Sequence, residues 1–222
     1  MRVWVTRTQP GAATTAQQLR DLGHDALVAP VLEVRTLAVQ PDLRNAGVVA
    51  YTSINGVRAA PDTVRELPAY VVGDATAAAA REAGHPFVFS ADGDVRALVE
   101  LIASRHALIR GDVLYLGARD PSADLIGMLR ALRVGARAVP VYETVAVEPE
   151  DALLLLDYIE AVVVYSPKAA RLVAGMVPPE RASPLFACIS EAAAHPLRAA
   201  GHEKVRWAPF PHEAALLKLL HE

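Results

Sequence analysis

The sequence nearly repeats itself, and this repeat constrains the fold more than any other feature. Residues 19–31 return without a gap as residues 129–141, a shift of 110 positions. Two further pairs of segments match, residues 48–53 with 162–166 and residues 72–77 with 189–194. A repeat of this length predicts two similar modules, and a ligand is commonly held between such modules.

Length and charge narrow the class of protein. With 222 residues, of which 53% are hydrophobic, the chain can bury two cores of roughly 100 residues each. The net charge is −3 and no long basic run is present, so the sequence favours neither a nucleic-acid partner nor an anionic membrane. An acidic ligand must therefore be met by locally placed groups.

The sequence also indicates a compartment. The segment 1–7 turns polar too early for a signal-peptide core, and no apolar run reaches the roughly 18 residues of a membrane span. We therefore expect a cytoplasmic protein. The single cysteine, Cys188, cannot form an internal disulfide, and its apolar neighbours predict a buried strand residue.

Short β-branched runs alternate with alanine- and leucine-rich stretches, which is typical of βα units and parallel sheets. Runs such as 48–52 and 162–165 are uniformly apolar, as strands covered on both faces are. Stretches such as 12–22 and 191–199 have helical composition, and Ser122 is expected to start another helix at residue 123. The fold class is therefore α/β with doubly wound parallel sheets.

Two extended, β-prone stretches interrupt this alternation at equivalent places in the repeat. We interpret residues 34–39 and 141–148 as connectors that cross side by side between modules. This predicts one discontinuous domain, 1–33 with 149–222, and a second domain, 40–140. A simple split near residue 111, which keeps each half contiguous, remains open.

Ligands of open parallel sheets bind beyond the carboxyl ends of the strands, where helix N-termini point free N–H groups outward. The residues that follow the expected strands are small, hydroxylic or cationic, a set suited to carboxylates or phosphates. The candidate binding residues are Thr6, Arg7, Ser53, Asn55, Gly56, Gly73, Thr76, Arg119, Ser166, Pro167, Lys168 and Ser190. The alternative for Ser53, Ser166 and Ser190 is that they only cap helices.

The sequence contains no G-x-G-x-x-G, G-x-x-x-x-G-K, G-x-S-x-G or H-E-x-x-H motif. Nucleotide-binding, α/β-hydrolase and zinc-protease functions therefore lose their main support. The histidines have no ligand spacing, so no metal site is predicted. Tyr142 lies on an expected connector, where its phenol could either donate a proton or pack.

Taken in order along the chain, the motifs resemble the uroporphyrinogen-III synthase family over nearly the full length. The matching residues are Val5-Thr6-Arg7 before Pro10-Gly11, Gly23 to Pro30, Thr52-Ser53-Ile54-Asn55-Gly56-Val57, Val72-Gly73-Asp74-Ala75-Thr76-Ala77, Tyr115-Leu116-Gly117, Val141-Tyr142-Glu143-Thr144, Tyr165-Ser166-Pro167 and Ala214-Ala215-Leu216-Leu217. The resemblance implies two flavodoxin-like domains joined by a two-stranded β connector. One departure is Ile189-Ser190-Glu191-Ala192-Ala193-Ala194, which lacks the family's threonine pair, so binding there would either be weaker or rely on Ser190 and backbone amides.

The resemblance also implies a reaction, the cyclisation of hydroxymethylbilane to uroporphyrinogen III with loss of water and inversion of ring D, without a cofactor. This substrate is a linear tetrapyrrole with eight carboxylates. Tyr142 would act as general acid, and helix N-termini at 53–56, 73–76 and 166–168 would bind carboxylates together with Arg7, Arg119 and Lys168. We expect a monomer, in at most transient contact with the enzyme that precedes it in haem biosynthesis.

Two other functions stay open at the level of sequence. A non-catalytic two-domain binder of small polyanionic ligands would use the same loops without needing Tyr142. A nucleotide-dependent transferase of similar architecture is disfavoured by the missing glycine-rich motif.

Overall fold

The described strands form two sheets. One sheet is built from strands near both ends of the chain, and the other is built from the strands between them. The computed structural model describes residues 1–180 and 182–221. The chain divides into a first unit, residues 1–33 with 145–222, and a second unit, residues 34–144. No helix in the described ranges has the length and apolar character needed to cross a membrane.

The strands, in chain order, are β1 Arg2–Val5, β2 Asp25–Val28, β3 Leu32–Thr36, β4 Ala46–Tyr51, β5 Ala69–Val71, β6 Val88–Ser90, β7 Asp112–Ala118, β8 Ala136–Ala146, β9 Ala161–Val164, β10 Leu185–Cys188 and β11 Val205–Trp207. The α-helices are α1 Gly11–Asp21, α2 Ile54–Ala59, α3 Asp74–Glu82, α4 Val95–Ser104, α5 Leu125–Ala131, α6 Glu150–Leu154, α7 Pro167–Met176, α8 Glu191–Ala199 and α9 Glu213–Lys218. Short 3-10 helices lie at Asp62–Val64, His106–Leu108 and Leu156–Tyr158.

The sheet of the first unit has the order β11-β10-β9-β1-β2, and its neighbouring strands are parallel. Successive residues of β1 point to opposite faces, so Trp4 packs in one core cluster and Val3 and Val5 in another. The indole Nε1 of Trp4 donates to the carbonyl oxygen of Ala29 at 2.6 Å, which satisfies its polar atom in the core.

The sheet of the second unit has the order β3-β8-β7-β4-β5-β6, with parallel pairing from β8 to β6. It too has an apolar cluster on each face, one containing Tyr51 and the other Tyr70. A Cβ atom at Gly56 would lie 2.6 Å from the carbonyl oxygen of Leu116. Glycine at this position therefore lets α2 approach the backbone of β7 closely.

The sequence repeat corresponds to the order of strands in space. Since residues 19–31 match 129–141, β2 corresponds to β8, and the strands before them, β1 and β7, correspond by position. The segments 48–53 and 162–166 pair β4 with β9, and the segments 72–77 and 189–194 directly follow β5 and β10, which pair in turn. The arrangement β2-β1-β9-β10 then has its counterpart in β8-β7-β4-β5. The predicted α/β fold with doubly wound parallel sheets is confirmed, and the second unit is a circular permutation of the first.

Two local predictions concern Cys188 and the helix expected after Ser122, and only the first is confirmed. Cys188 is a fully buried residue of β10, as expected, and burial raises the pKa of its thiol to about 12. The expected helix start after Ser122 is wrong. The helix begins at Leu125, because the side chain of Asp124 accepts the backbone N–H of Gly127 at 2.8 Å and so caps it.

Candidate active site

The order of strands in the second sheet locates a cavity. From β4 the chain proceeds outward to β5 and β6, whereas β7 and β8 extend the sheet in the other direction. Ligands of doubly wound sheets bind at such a reversal, beyond the carboxyl ends of the strands. A cavity of about 240 Å³ lies at this edge. It is lined by Thr52, Ser53, Val95, Tyr115, Ala118, Asp120, Pro121, Ser122, Ala123, Tyr142 and Thr144.

Tyr115 contributes a phenol to the cavity from near the end of β7. Its ring is 4% exposed, and its hydroxyl is hydrogen-bonded to that of Thr52 at 2.9 Å. Burial raises the pKa of Tyr115, the bond to Thr52 partly offsets this rise, and the nearby Tyr142 adds to it. The phenol is therefore protonated at neutral pH. Either hydroxyl of this pair can be the donor, and the Tyr115 proton is free for a ligand when Thr52 donates to it.

Gly117 makes room for this ring. A Cβ atom at position 117 would overlap Cζ, Oη and Cε2 of Tyr115. Since any larger residue would displace the ring, glycine at 117 sets where the Tyr115 hydroxyl lies.

Tyr142 lies in β8 and lines the same cavity, with 8% of its surface exposed. Its backbone carbonyl accepts the N–H of Arg119 at 2.8 Å, which joins β8 to the loop after β7. The side chain of Arg119 is 55% exposed and is paired with Glu143. The strand and this loop thus place Tyr142 in the lining of the same cavity as Tyr115, near enough to act on its pKa.

The predicted residues around α2 and α3 are placed at helix starts. Ser53 caps α2 by accepting the N–H of Asn55 at 3.1 Å, and it also lines the cavity. Gly73 precedes α3, and Thr76, in its first turn, is 5% exposed. A hydroxyl that accepts a capping bond still has its own proton to donate, so capping leaves Ser53 able to bind a ligand.

The first sheet reverses between β1 and β9, and Thr6 and Arg7 follow β1 at this point. Thr6 is fully buried, and its hydroxyl donates to the carbonyl oxygen of Val163 at 2.7 Å. This bond ties β1 to β9 and uses the Thr6 proton inside the unit. Arg7 donates to Glu213 at 2.9 Å, so its guanidinium already has a carboxylate partner.

The remaining predicted residues lie at two helix starts of the first unit. Ser166 caps α7 by accepting the N–H of Ala169 at 3.1 Å, and Ser190 caps α8 by accepting that of Ala193 at 3.3 Å. Pro167 is the first residue of α7, and Lys168 follows it on the exposed side. Both serines therefore have the capping role that was one of their two expected roles.

Tyr115, Thr52 and Glu213 were not among the predicted site residues. A tyrosine near the end of an aliphatic strand was a usable signal, because a buried phenol needs a partner for its hydroxyl. No comparable signal marked Glu213. Among the described residues there is no group of three or more histidine, cysteine, aspartate or glutamate side chains that could hold a metal ion.

Comparison with known proteins identifies the family. The family model described as uroporphyrinogen-III synthase HemD matches residues 13–218. A search of curated protein sequences gives no significant match.

Solved structures agree in fold. The uroporphyrinogen-III synthetase of Helicobacter pylori 26695 superposes with a TM-score of 0.70 at 18% identity, covering 99% of this chain and 97% of that one. A mutant uroporphyrinogen III synthase of Thermus thermophilus superposes with a TM-score of 0.57 at 16% identity, covering 100% of this chain and 97% of that one. By its match to the family model over most of its length, this chain belongs to the uroporphyrinogen-III synthase family, whose activity is a step of tetrapyrrole synthesis.

Proposed function

We propose that this protein cyclises hydroxymethylbilane to uroporphyrinogen III, with loss of water and inversion of ring D through a spiro intermediate. Membership of the family supports this proposal. The observation that carries it is the cavity at the strand reversal of the second unit, which both Tyr142 and Tyr115 line. The enzyme is a hydro-lyase in this proposal. It works without a cofactor in this proposal, as the family resemblance implies.

Tyr142 assists departure of the terminal hydroxyl. Its phenol proton passes to the leaving oxygen as the carbon–oxygen bond breaks, so that water leaves and an azafulvene cation forms. Ring D then attacks this cation through its already substituted position and gives the spiro intermediate. Fragmentation and reclosure of that intermediate yield the type III isomer, and the proton lost on rearomatisation restores the phenol.

Control of geometry matters more than any one side chain. The linear substrate closes without help to the type I isomer, so the enzyme must hold ring D with its substituted carbon nearest the cation. A protonated phenol at Tyr115, fixed by Thr52, suits this task because it donates a hydrogen bond from a defined position. The small volume of the cavity fits one end of the substrate rather than the whole tetrapyrrole.

Helix N-termini bind the substrate's carboxylates in this proposal. Free backbone N–H groups and the helix dipole favour anions there. The proposed contacts come from Ser53, Asn55 and Gly56 at α2, Gly73 and Thr76 at α3, Ser166, Pro167 and Lys168 at α7, and Ser190 at α8, with Thr6, Arg7 and Arg119 alongside. Thr6 would act through its backbone, because its hydroxyl is already bonded to Val163.

The deciding experiment is product analysis. Freshly made hydroxymethylbilane is incubated with the protein, and the uroporphyrinogen isomers are oxidised and separated by chromatography. We expect the type III isomer to dominate. In this proposal the protein is also a monomeric, cytoplasmic enzyme of haem biosynthesis. A dominant type I product, together with binding of the tetrapyrrole, would instead identify a non-catalytic binder of polyanionic ligands.

A further inference from the structure

The strand reversal of the first unit is occupied by a carboxylate of the protein itself. Arg7 follows β1 and Tyr165 follows β9, the two strands between which this sheet reverses. In the second unit the corresponding reversal, between β7 and β4, holds an open cavity. In the first unit the side chain of Glu213, from the start of α9, lies at this place instead.

Three donors converge on this carboxylate. Thr15 and Tyr165 each donate a hydroxyl proton to Oε1 of Glu213 at 2.5 Å, and Arg7 donates to Oε2 at 2.9 Å. Charge-assisted hydrogen bonds to both oxygens are what a binding site for a ligand carboxylate requires.

The donors are themselves held in place. The guanidinium of Arg7 lies 4.2 Å from the centre of the Tyr165 ring, and a Cβ atom at Gly11 would come within 2.6 Å of it. Thr15 is fully buried in α1. The geometry of the donors therefore does not depend on Glu213 alone.

Glu213 is placed so that it can leave. It is the first residue of α9, and residues 209–212 before it are exposed. Rotation about its side-chain bonds moves the carboxylate to solvent while Leu216 and Leu217 stay buried in the core. An incoming carboxylate would restore every hydrogen bond that Glu213 gives up, so no buried donor would be left without a partner.

We propose that the site formed by Arg7, Thr15 and Tyr165 binds a ligand carboxylate, and that Glu213 fills it until the ligand replaces it. The identity of the ligand rests on the proposed function, and under that function the carboxylate belongs to an acetate or propionate arm of the tetrapyrrole. Glu213 then competes with the substrate for this site. Arg7 is a substrate-binding residue, and the presence of Glu213 lowers the apparent affinity of the site for the substrate carboxylate.

The first test uses propionate as the probe and does not depend on activity. Glu213→Ala should lower the melting temperature by several degrees, and propionate should restore it in a saturable manner, whereas neutral propionamide should not. In the wild-type protein the same propionate concentrations should have no saturable effect, because Glu213 is present at a high effective concentration. Absence of a propionate-specific rise in Glu213→Ala would overturn the proposal.

Asp25→Ala is the matched control in the same unit. Asp25 is paired with Arg2 at 2.7 Å, but this pair is exposed and the carboxylate receives no hydroxyl donor from the described residues. Propionate should therefore not restore stability in this variant. Equal rescue of both variants would indicate a general salt effect and count against a specific site.

The second test uses the milder variant Glu213→Gln, which keeps the size of the side chain. If Glu213 competes with substrate, this change should lower the KM for hydroxymethylbilane by roughly threefold or more, while Arg7→Gln should raise it. A purely structural ion pair would shift KM in the same direction in both variants, and that result would refute the exchange. If the wild-type protein forms only type I product, the proposed function fails, whereas propionate rescue still decides whether the carboxylate site exists.

Discussion

The hydroxyl of Tyr115 lies 2.9 Å from that of Thr52, and this bond joins the ends of β7 and β4 at the point where the second sheet reverses. It fixes a protonated phenol in a cavity that Tyr142 also lines. At the corresponding strand reversal of the first unit, between β1 and β9, the hydroxyl of Tyr165 is bonded to Glu213 instead. The same sheet position thus carries an open cavity in one unit and an internally filled site in the other.

Removal of the Tyr142 hydroxyl should slow the reaction without unfolding the protein. Tyr142→Phe keeps the ring that packs in the core cluster of the second unit and should lower turnover roughly 10- to 100-fold, near the lower end of general-acid effects. Steady-state kinetics with isomer analysis measure this. Tyr70→Phe is the control, since Tyr70 packs against Phe89 outside the lining of the cavity. Unchanged turnover in Tyr142→Phe would restrict Tyr142 to packing.

Gly117→Ala should displace the Tyr115 ring, because the added methyl group would overlap it. We expect the free energy of unfolding to fall by about 1–3 kcal/mol and the fraction of type I product to rise. Gly175→Ala in α7 is the matched control, because a Cβ atom there meets no described atom within 4 Å. It should be neutral or stabilising by roughly 0.5–1 kcal/mol. Urea denaturation and chromatography give the two readouts, and wild-type values for Gly117→Ala would contradict the role of this glycine.

The helix-capping role of Ser53 and Ser166 can be distinguished by experiment from a role in ligand binding. Ser53→Ala and Ser166→Ala should each lower the free energy of unfolding by about 1 kcal/mol, the usual cost of a lost cap. If the hydroxyls also hold carboxylates, the rise in melting temperature caused by the tetrapyrrole product should be smaller than in the wild type. Thermal denaturation with and without product measures this. An undiminished rise in both variants would assign the serines to capping only.

Limited proteolysis tests the discontinuous domain. Cleavage is expected near residues 34–39 and 145–150, with the N-terminal fragment remaining bound to the C-terminal one through the pairing of β1 with β9. Size-exclusion chromatography of the digest, followed by mass spectrometry, identifies the fragments that stay together. Separation into folded pieces 1–110 and 111–222 would contradict this organisation.

Stability should fall when the pH drops below about 6.5. Burial lowers the pKa of His85 and of His202, so both are neutral in the folded state and bind protons more readily when unfolded. Below the ordinary histidine pKa the unfolded chain gains these protons first, so the free energy of unfolding decreases by up to about 1.4 kcal/mol per pH unit for each histidine. Above that pH the contribution is fully present.

Urea denaturation between pH 8 and pH 5 measures this slope. His85→Asn and His202→Asn should each make it less steep. His85 has partners on both ring nitrogens, the carbonyl oxygen of Leu67 at 2.8 Å and the hydroxyl of Tyr51 at 3.1 Å, whereas Nε2 of His202 is buried without a partner among the described residues. Identical slopes in the wild type and both variants would contradict this origin of the pH dependence.

The sequence by itself determined the parallel α/β fold and the ends of many of its elements. Apolar runs and the repeat depend on local composition, which tertiary contacts seldom override in long, strongly patterned segments. Gly23, Gly84 and Gly201 end helices in the left-handed conformation that favours glycine, and Asp94 caps α4, both as local chemistry predicts. The helix start at 53–56 was expected and is the start of α2, whereas the short helix α6 was missed, because five residues carry too little periodicity to be recognised.

Only the tertiary structure decided which side chains meet. Arg7 and Glu213 are 206 residues apart, and Thr52 and Tyr115 are 63 apart, so no spacing in the sequence relates them. The strand order, which places β4 beside β7, brings Thr52 to Tyr115. Glu213 reaches Arg7 because α9 packs in the core cluster that also holds β1 and α1. The sequence could name Arg7 as a cation for carboxylates. A carboxylate of the same chain, that of Glu213, already pairs with Arg7. This pairing is a consequence of long-range packing, which depends on the folded shape and not on local sequence pattern.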